Sequence, residues 1–170
     1  MSGRGRFADD QPTRAGTLHA AILRSPHAHA EIKSIDVSKA QARPGVFAVL
    51  TGKDVQAETE PFLIVLREPM DQWALAVDKV RFVGESVAVV VAENRYVAED
   101  ALEDIEVEYS PLPAVVRTMD AVEKDAPLVH PAVGSNVPSS RDFRYGDPEK
   151  AFAEADQVVE LTIDYPRNSQ

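Results

Sequence analysis

Three residues able to ligate a metal stand two apart in the stretch "RSPHAHAEI": His27, His29 and Glu31. In an extended chain they would share one face, because side chains repeat every second residue along a strand. Two imidazoles and a carboxylate are a donor set for zinc or iron. The spacing argues against it. Neighbours along one strand sit about 7 Å apart, whereas a metal gathers ligands at ~2 Å, usually from different elements. The plainer reading is a pair of surface or capping histidines after a proline bend. His19 and His130 stand alone in the sequence.

A second grouping is the carboxylate run Glu99, Asp100, Glu103, Asp104, Glu106 and Glu108. A general-acid pair needs burial that drives two pKa values apart. On a helix, 99/103 and 100/104 are like-charged i,i+4 neighbours on a polar face, so the run reads as solvated surface. A third is the glycine in "VRFVGESVAVVVAE". A phosphate loop needs a strand, then glycines, then the N-terminus of a helix. Here Gly84 is followed by a Val-rich strand pattern, so it reads as a turn or bulge between strands. "GES" is not the G-x-S-x-G elbow, and no serine has a His/Asp partner motif.

The elements that must position these groups follow from periodicity. "TLHAAILR" (17–24), "EIKSIDV" (31–37) and "VFAVL" (46–50) read as strands, with "SKAQA" a short helical turn ended by Pro44-Gly45. From "TGKDV" a variable stretch runs through "FLIVL" (62–66) to Trp73. "ALAVDKVRF" and "SVAVVVA" are strands flanking Gly84. Asn94 caps a helix "RYVAEDALEDI", whose Val97, Ala98, Ala101, Leu102 and Ile105 share one face. It passes without a turn into an edge or half-buried strand "IEVEY". Residues 123–146 read as loop. Asp147-Pro148 caps a helix "PEKAFAEA", and "QVVELTIDY" reads as an alternating strand with Val159, Leu161, Ile163 and Tyr165 on one side. Strands and helices without strict alternation make the fold α+β.

The 170 residues can bury one substantial core. Lys plus Arg number 18 against 28 Asp plus Glu, a net charge of -10, which disfavours nucleic acid or an anionic membrane as partner. There is no cysteine, so disulfides, thiolate–metal sites and thiol chemistry are excluded within this chain. The N-terminal "MSGRGRFADDQPTRAG" has no apolar core of a signal peptide, and no apolar run approaches the ~20 residues of a membrane helix. A soluble, cytoplasmic protein is expected.

Several segments together, "GRGRFADD", "LHAAILRSPHAHAEIKSIDVSKAQARPGVFAVLTGKDV", "ALAVDKVRFVGESVAVVVAENRYVAEDALEDIEVEYSPLPAVV", "DAVEKDAPLVH" and "GDPEKAFAEADQVVELTI", occur in an order and spacing that resembles a known family. It is the molybdenum-binding large subunit of the xanthine dehydrogenase/aldehyde oxidase family, in particular its carbon monoxide dehydrogenase-like bacterial members, over about residues 3–165. The resemblance implies an α/β-hammerhead domain, a mixed sheet with a few helices, over 17–165. An N-terminal arm (1–16) would precede it and a stub (166–170) would lead to a molybdenum-binding region. It implies an enzyme oxidising an aldehyde, an N-heterocycle or carbon monoxide at molybdopterin or its cytosine dinucleotide, with iron–sulfur and FAD partners. The family's catalytic and cofactor segments lie downstream of the hammerhead. No catalytic, cofactor or metal residue is therefore carried over to this chain, which is expected to be structural in such an enzyme and inactive alone. The alternative expectation is a stand-alone interaction or assembly module without redox activity.

Overall fold

The computed structural model describes residues 5, 7, 10–62, 70, 72–163 and 165. "FLIVL" beyond Phe62, most of the expected arm's first nine residues and the whole stub lie outside the described residues. The chain divides into two compact units, Met1–Pro138 and Ser139–Gln170.

The first unit holds two three-stranded antiparallel sheets. One has the order β1-β5-β3, from β1 (His19–Arg24), β3 (Val46–Thr51) and β5 (Ser86–Ala92). The other has the order β4-β2-β6, from β2 (Ala30–Asp36), the two-residue β4 (Lys79–Val80) and β6 (Glu106–Pro111). The expected α+β class, sheets with a few helices, is what the chain adopts. Gly84 has φ +90°, so the turn there does need a residue without Cβ. The strands it links belong to different sheets, so the turn is a crossing from one sheet to the other, with β5 the central strand of the first.

α3 (Arg95–Leu102) covers one face of the first sheet. Asn94 caps it, its side chain accepting from Val97 N at 3.0 Å. The contact is made of small residues. Ala98 and Ala101 are fully enclosed against Ala21, Ala88, Val90 and Ala92, and alanine on both sides lets helix and sheet approach closely. α3 ends at Leu102, and Glu103 and Asp104 form a turn before β6. The expected turnless hand-over from helix to strand is corrected: Ile105 must swing into the core and Glu106 out to solvent, which needs a bend. β6 does lie at a sheet edge, as expected.

α1 (Ser38–Ala42) falls where expected. α2 (Gly52–Glu58) lies in the stretch expected to be variable. Its start is fixed by Asp54, whose Oδ2 accepts from Thr51 N and Thr51 Oγ1, both at 2.7 Å. Gly52 opens this helix against the chain at Ala76. A Cβ there would lie 2.1 Å from the Ala76 carbonyl oxygen, so only glycine permits the approach. The unit also holds a further short helix, α4 (Thr118–Ala121), and a 3-10 turn at Pro131–Val133.

In the second unit, Asp147 caps α5 (Pro148–Ala153) through Lys150 N at 3.0 Å, with proline at the first turn as the sequence implied. The expected strand over 157–165 is not formed among the described residues: Val159, Leu161, Ile163 and Tyr165 are all exposed. Alternation alone cannot hold a strand, which needs a ladder to satisfy its N–H and C=O groups.

Candidate functional site

The His27–Glu31 stretch is not extended throughout, and the structure separates its three candidates. Residues 25–29 form the bend from β1 into β2, and only Glu31 sits in a strand. Buried Ser25 ties the bend together: its Oγ donates to His27 O and accepts from His27 N, both at 3.0 Å. Ser25 also exchanges backbone hydrogen bonds with the Gly84 turn, Gly84 N to Ser25 O at 2.8 Å and Ser25 N to Glu85 O at 2.9 Å. The His27 ring packs on Tyr109 of β6 at 4.8 Å between centroids. Burial raises the Tyr109 hydroxyl above its ordinary pKa, a shift the Ser25 hydroxyl partly offsets.

His29 turns the other way. It is buried, and its Nδ1 donates to Pro113 O at 2.8 Å. Its Nε2 is enclosed without a partner among the described residues. Glu31 pairs with Lys33, whose ammonium holds the carboxyl below its ordinary value. The three side chains thus serve three separate contacts, and the histidines pin the β1–β2 bend onto β6. Among the described residues no group of three His, Asp or Glu is placed to hold a metal.

The carboxylate run proves to be a seam of ion pairs. Asp104 meets Arg43 Nε at 2.7 Å, Glu106 meets Lys39, and Glu99 meets Arg95 Nε at 2.8 Å, while Asp100 and Glu103 are exposed. The partners Lys39 and Arg43 lie on and just after α1, sixty residues away in sequence, where no local pattern could reveal them. Both cations are held above their ordinary pKa, by Glu106 and Asp104 respectively. The Lys39 and Arg43 pairs tie α1 to the turn between α3 and β6.

Two concavities stand out among the described residues. The larger, about 310 Å³, lies in the second unit and is lined by Ala151, Phe152, Val158 and Val159 with Gln157 its one amide. It offers shape but no reactive group. The smaller, about 180 Å³, lies in the first unit and is lined by Lys79, Arg81 and His130 beside Met70, Val129 and Pro131. Sequence reasoning passed over Lys79, Arg81 and His130: His130 stands alone in the sequence, and Lys79 and Arg81 lie in the stretch "ALAVDKVRF" read as a strand.

The comparisons with known proteins agree with this architecture. The family model described as "Aldehyde oxidase and xanthine dehydrogenase, a/b hammerhead domain" matches residues 2–113. The chain belongs to that family. This hammerhead chain is 42% identical, over 97% of its length, to the carbon monoxide dehydrogenase large chain of Afipia carboxidovorans, of which it covers 22%. It is 36% identical to the nicotinate dehydrogenase large molybdopterin subunit of Eubacterium barkeri, over 95% of its own length and 36% of that protein. The crystal structure of quinoline 2-oxidoreductase from Pseudomonas putida 86 superposes with a TM-score of 0.77 at 42% identity, covering 92% of this chain and 20% of that one. The hammerhead chain therefore spans between a fifth and about a third of the length of these relatives. Among the described residues no helix is long and apolar enough to cross a membrane.

Proposed function

We propose that this chain is the hammerhead part of the large subunit of a molybdopterin-dependent hydroxylase, an enzyme oxidising an aldehyde, an N-heterocycle or carbon monoxide. It works there as architecture. Its partner is the molybdenum-binding region, in the same or a separate polypeptide, and electrons leave through iron–sulfur and FAD partners. No catalytic, cofactor-binding or metal-binding residue is assigned to it. The names of its relatives, a carbon monoxide dehydrogenase large chain and a large molybdopterin subunit, support the enzyme class.

The observation that carries the structural role is the open face of the first sheet. α3 covers one side. On the other, the register places Ile22, Val89 and Leu50 in one cross-strand row and Ala20, Val91 and Ala48 in the next. Directly paired residues of antiparallel strands point the same way, so these six form an apolar surface. Ile22 is 41% and Leu50 40% exposed. Val87, further along β5 on the same side, is fully buried against Val80, Ala30 and Ala76, which shows that the second sheet covers only one end of this face. A contiguous apolar face on a sheet marks a surface for another polypeptide.

The test is reconstitution. The 170-residue chain, purified from cells making molybdopterin, is expected to carry no molybdenum and to oxidise none of the three substrate classes. Mixed with the molybdenum-binding part of a related large chain, it should form a complex. Ile22→Glu with Leu50→Glu should leave its own melting temperature within a few degrees, since both sites are already exposed, and abolish that complex. Stoichiometric molybdenum in the chain alone would overturn the assignment of the cofactor to the partner. A complex indifferent to the double substitution would overturn the assigned face.

A further inference from the structure

We propose that the cleft between β4 and the His130 turn is a binding site for a small free oxyanion, held by Lys79, Arg81 and His130. The inference is independent of any role in a larger enzyme. Val80 is fully buried and pairs with Ala30, and its neighbours Lys79 and Arg81 both line the cleft. Arg81 is folded back along its own strand, Nη1 donating to Lys79 O at 3.2 Å, which keeps the two cations on one wall of the cleft. Its Nε is enclosed and has no acceptor among the described residues.

Among the described residues the counter-charge is incomplete. Glu85 is the carboxylate against Arg81: one oxygen accepts from the Arg81 backbone N, and the other stands 3.6 Å from Nη1, too far for a full hydrogen bond. Glu31, opposite Lys79 on β2, is already paired with Lys33. No salt bridge to Lys79 forms among the described residues, and its charge acts on Glu31 only as a minor contribution beside Lys33. Among the described residues, two cations and a histidine thus line one small cleft with a single imperfectly placed carboxylate. Across the cleft His130, half-buried before the 3-10 turn, is held below the ordinary histidine pKa. Burial is the main cause, followed by the positive charges of Arg81, Lys79 and His29.

The volume, about 180 Å³, suits a group of sulfate or carboxylate size and is too small for a nucleotide. A guanidinium with an ammonium is the natural pair for oxygens of an anion. An anion in the cleft would reverse the charge repulsion on His130, so binding and proton uptake are linked. A group whose pKa rises on binding makes the complex tighter as pH falls.

Sulfate is the probe, because its charge is constant over the range in which histidine titrates. The chain, labelled for NMR, is titrated at fixed ionic strength between about pH 5 and 8. Saturable shifts confined to Lys79, Arg81 and His130 are expected, with the His130 pKa raised by about one unit, equivalent to tenfold tighter binding to the protonated form. Acetate should bind more weakly at the same place. Lys79→Met, partly exposed and able to keep its stem, should weaken sulfate at least about tenfold with the other amide signals unmoved, a loss typical of one charge-assisted contact. His130→Asn should remove the pH dependence and leave weaker binding. Lys53→Met, on α2, should change nothing. Linear shifts spread over surface lysines, an unmoved His130 pKa, or full affinity in Lys79→Met would each overturn the site.

Discussion

At the scale of the residue, two glycines separate two kinds of necessity. Gly84 needs its backbone angle, φ +90°, but a Cβ there would meet nothing within 4 Å. Gly52 has no positive φ, but its missing Cβ is the space occupied by Ala76. Gly84→Ala should cost about 1–2 kcal/mol, the strain of a left-handed alanine. Gly52→Ala should cost about 3 kcal/mol or more, because the clash is with backbone that cannot rotate away. Urea denaturation of both variants checks the order, and a smaller loss for Gly52→Ala would refute the close approach. Gly84 was legible in sequence because it interrupts two strand patterns. Gly52 was not, since its neighbour in space is twenty-four positions along the chain. The histidines show the same limit: alternation of His27, His29 and Glu31 suggested a common face, and Ser25, by bending the backbone, assigned each a different neighbour.

At the scale of the element, local chemistry was readable where the cap lies in the sequence itself. Asn94 and Asp147 mark their helices because each side chain meets a backbone N–H three residues on. α2 escaped notice although Asp54 does comparable work, since Thr51 also continues the apolar strand before it. Asp54 is held below the ordinary aspartate pKa by its hydrogen bonds with Thr51. A lowered folded-state pKa stabilises fully above the unfolded value, about 3.9, and the contribution is lost as pH falls through the lowered one. Asp54→Asn should therefore lower stability at neutral pH and flatten its decline in acid below about pH 4. Equal acid sensitivity in variant and parent, measured by thermal unfolding across that range, would exclude this role for the carboxylate.

At the scale of the whole molecule, the family and its α+β class were legible because motif order survives where single residues change role. The distribution of strands over two sheets was not, because pairing partners are set by long-range register. The terminal alternation over 157–165 misled for a related reason: a period-2 pattern states what a strand would bury, and here nothing among the described residues supplies the ladder. Amide exchange tests this. Residues 157–163 should exchange within seconds in the chain alone, while 86–92, hydrogen-bonded on both sides in the middle of a sheet, stay protected. Strong protection over 157–163 in a monomer would show an ordered strand after all.

The open face of the first sheet also bears on how the chain behaves in a test tube. That sheet ends in β1 and β3, two edge strands that flank the uncovered apolar rows. Free edges beside bare hydrocarbon are a template for stacking one copy onto another. What opposes it is the charge of -10, which keeps copies apart by long-range repulsion. Added salt shortens that repulsion and acid removes it. The same chain is then expected to stay clear in dilute neutral buffer and to cloud, without unfolding, in strong brine or near its isoelectric pH.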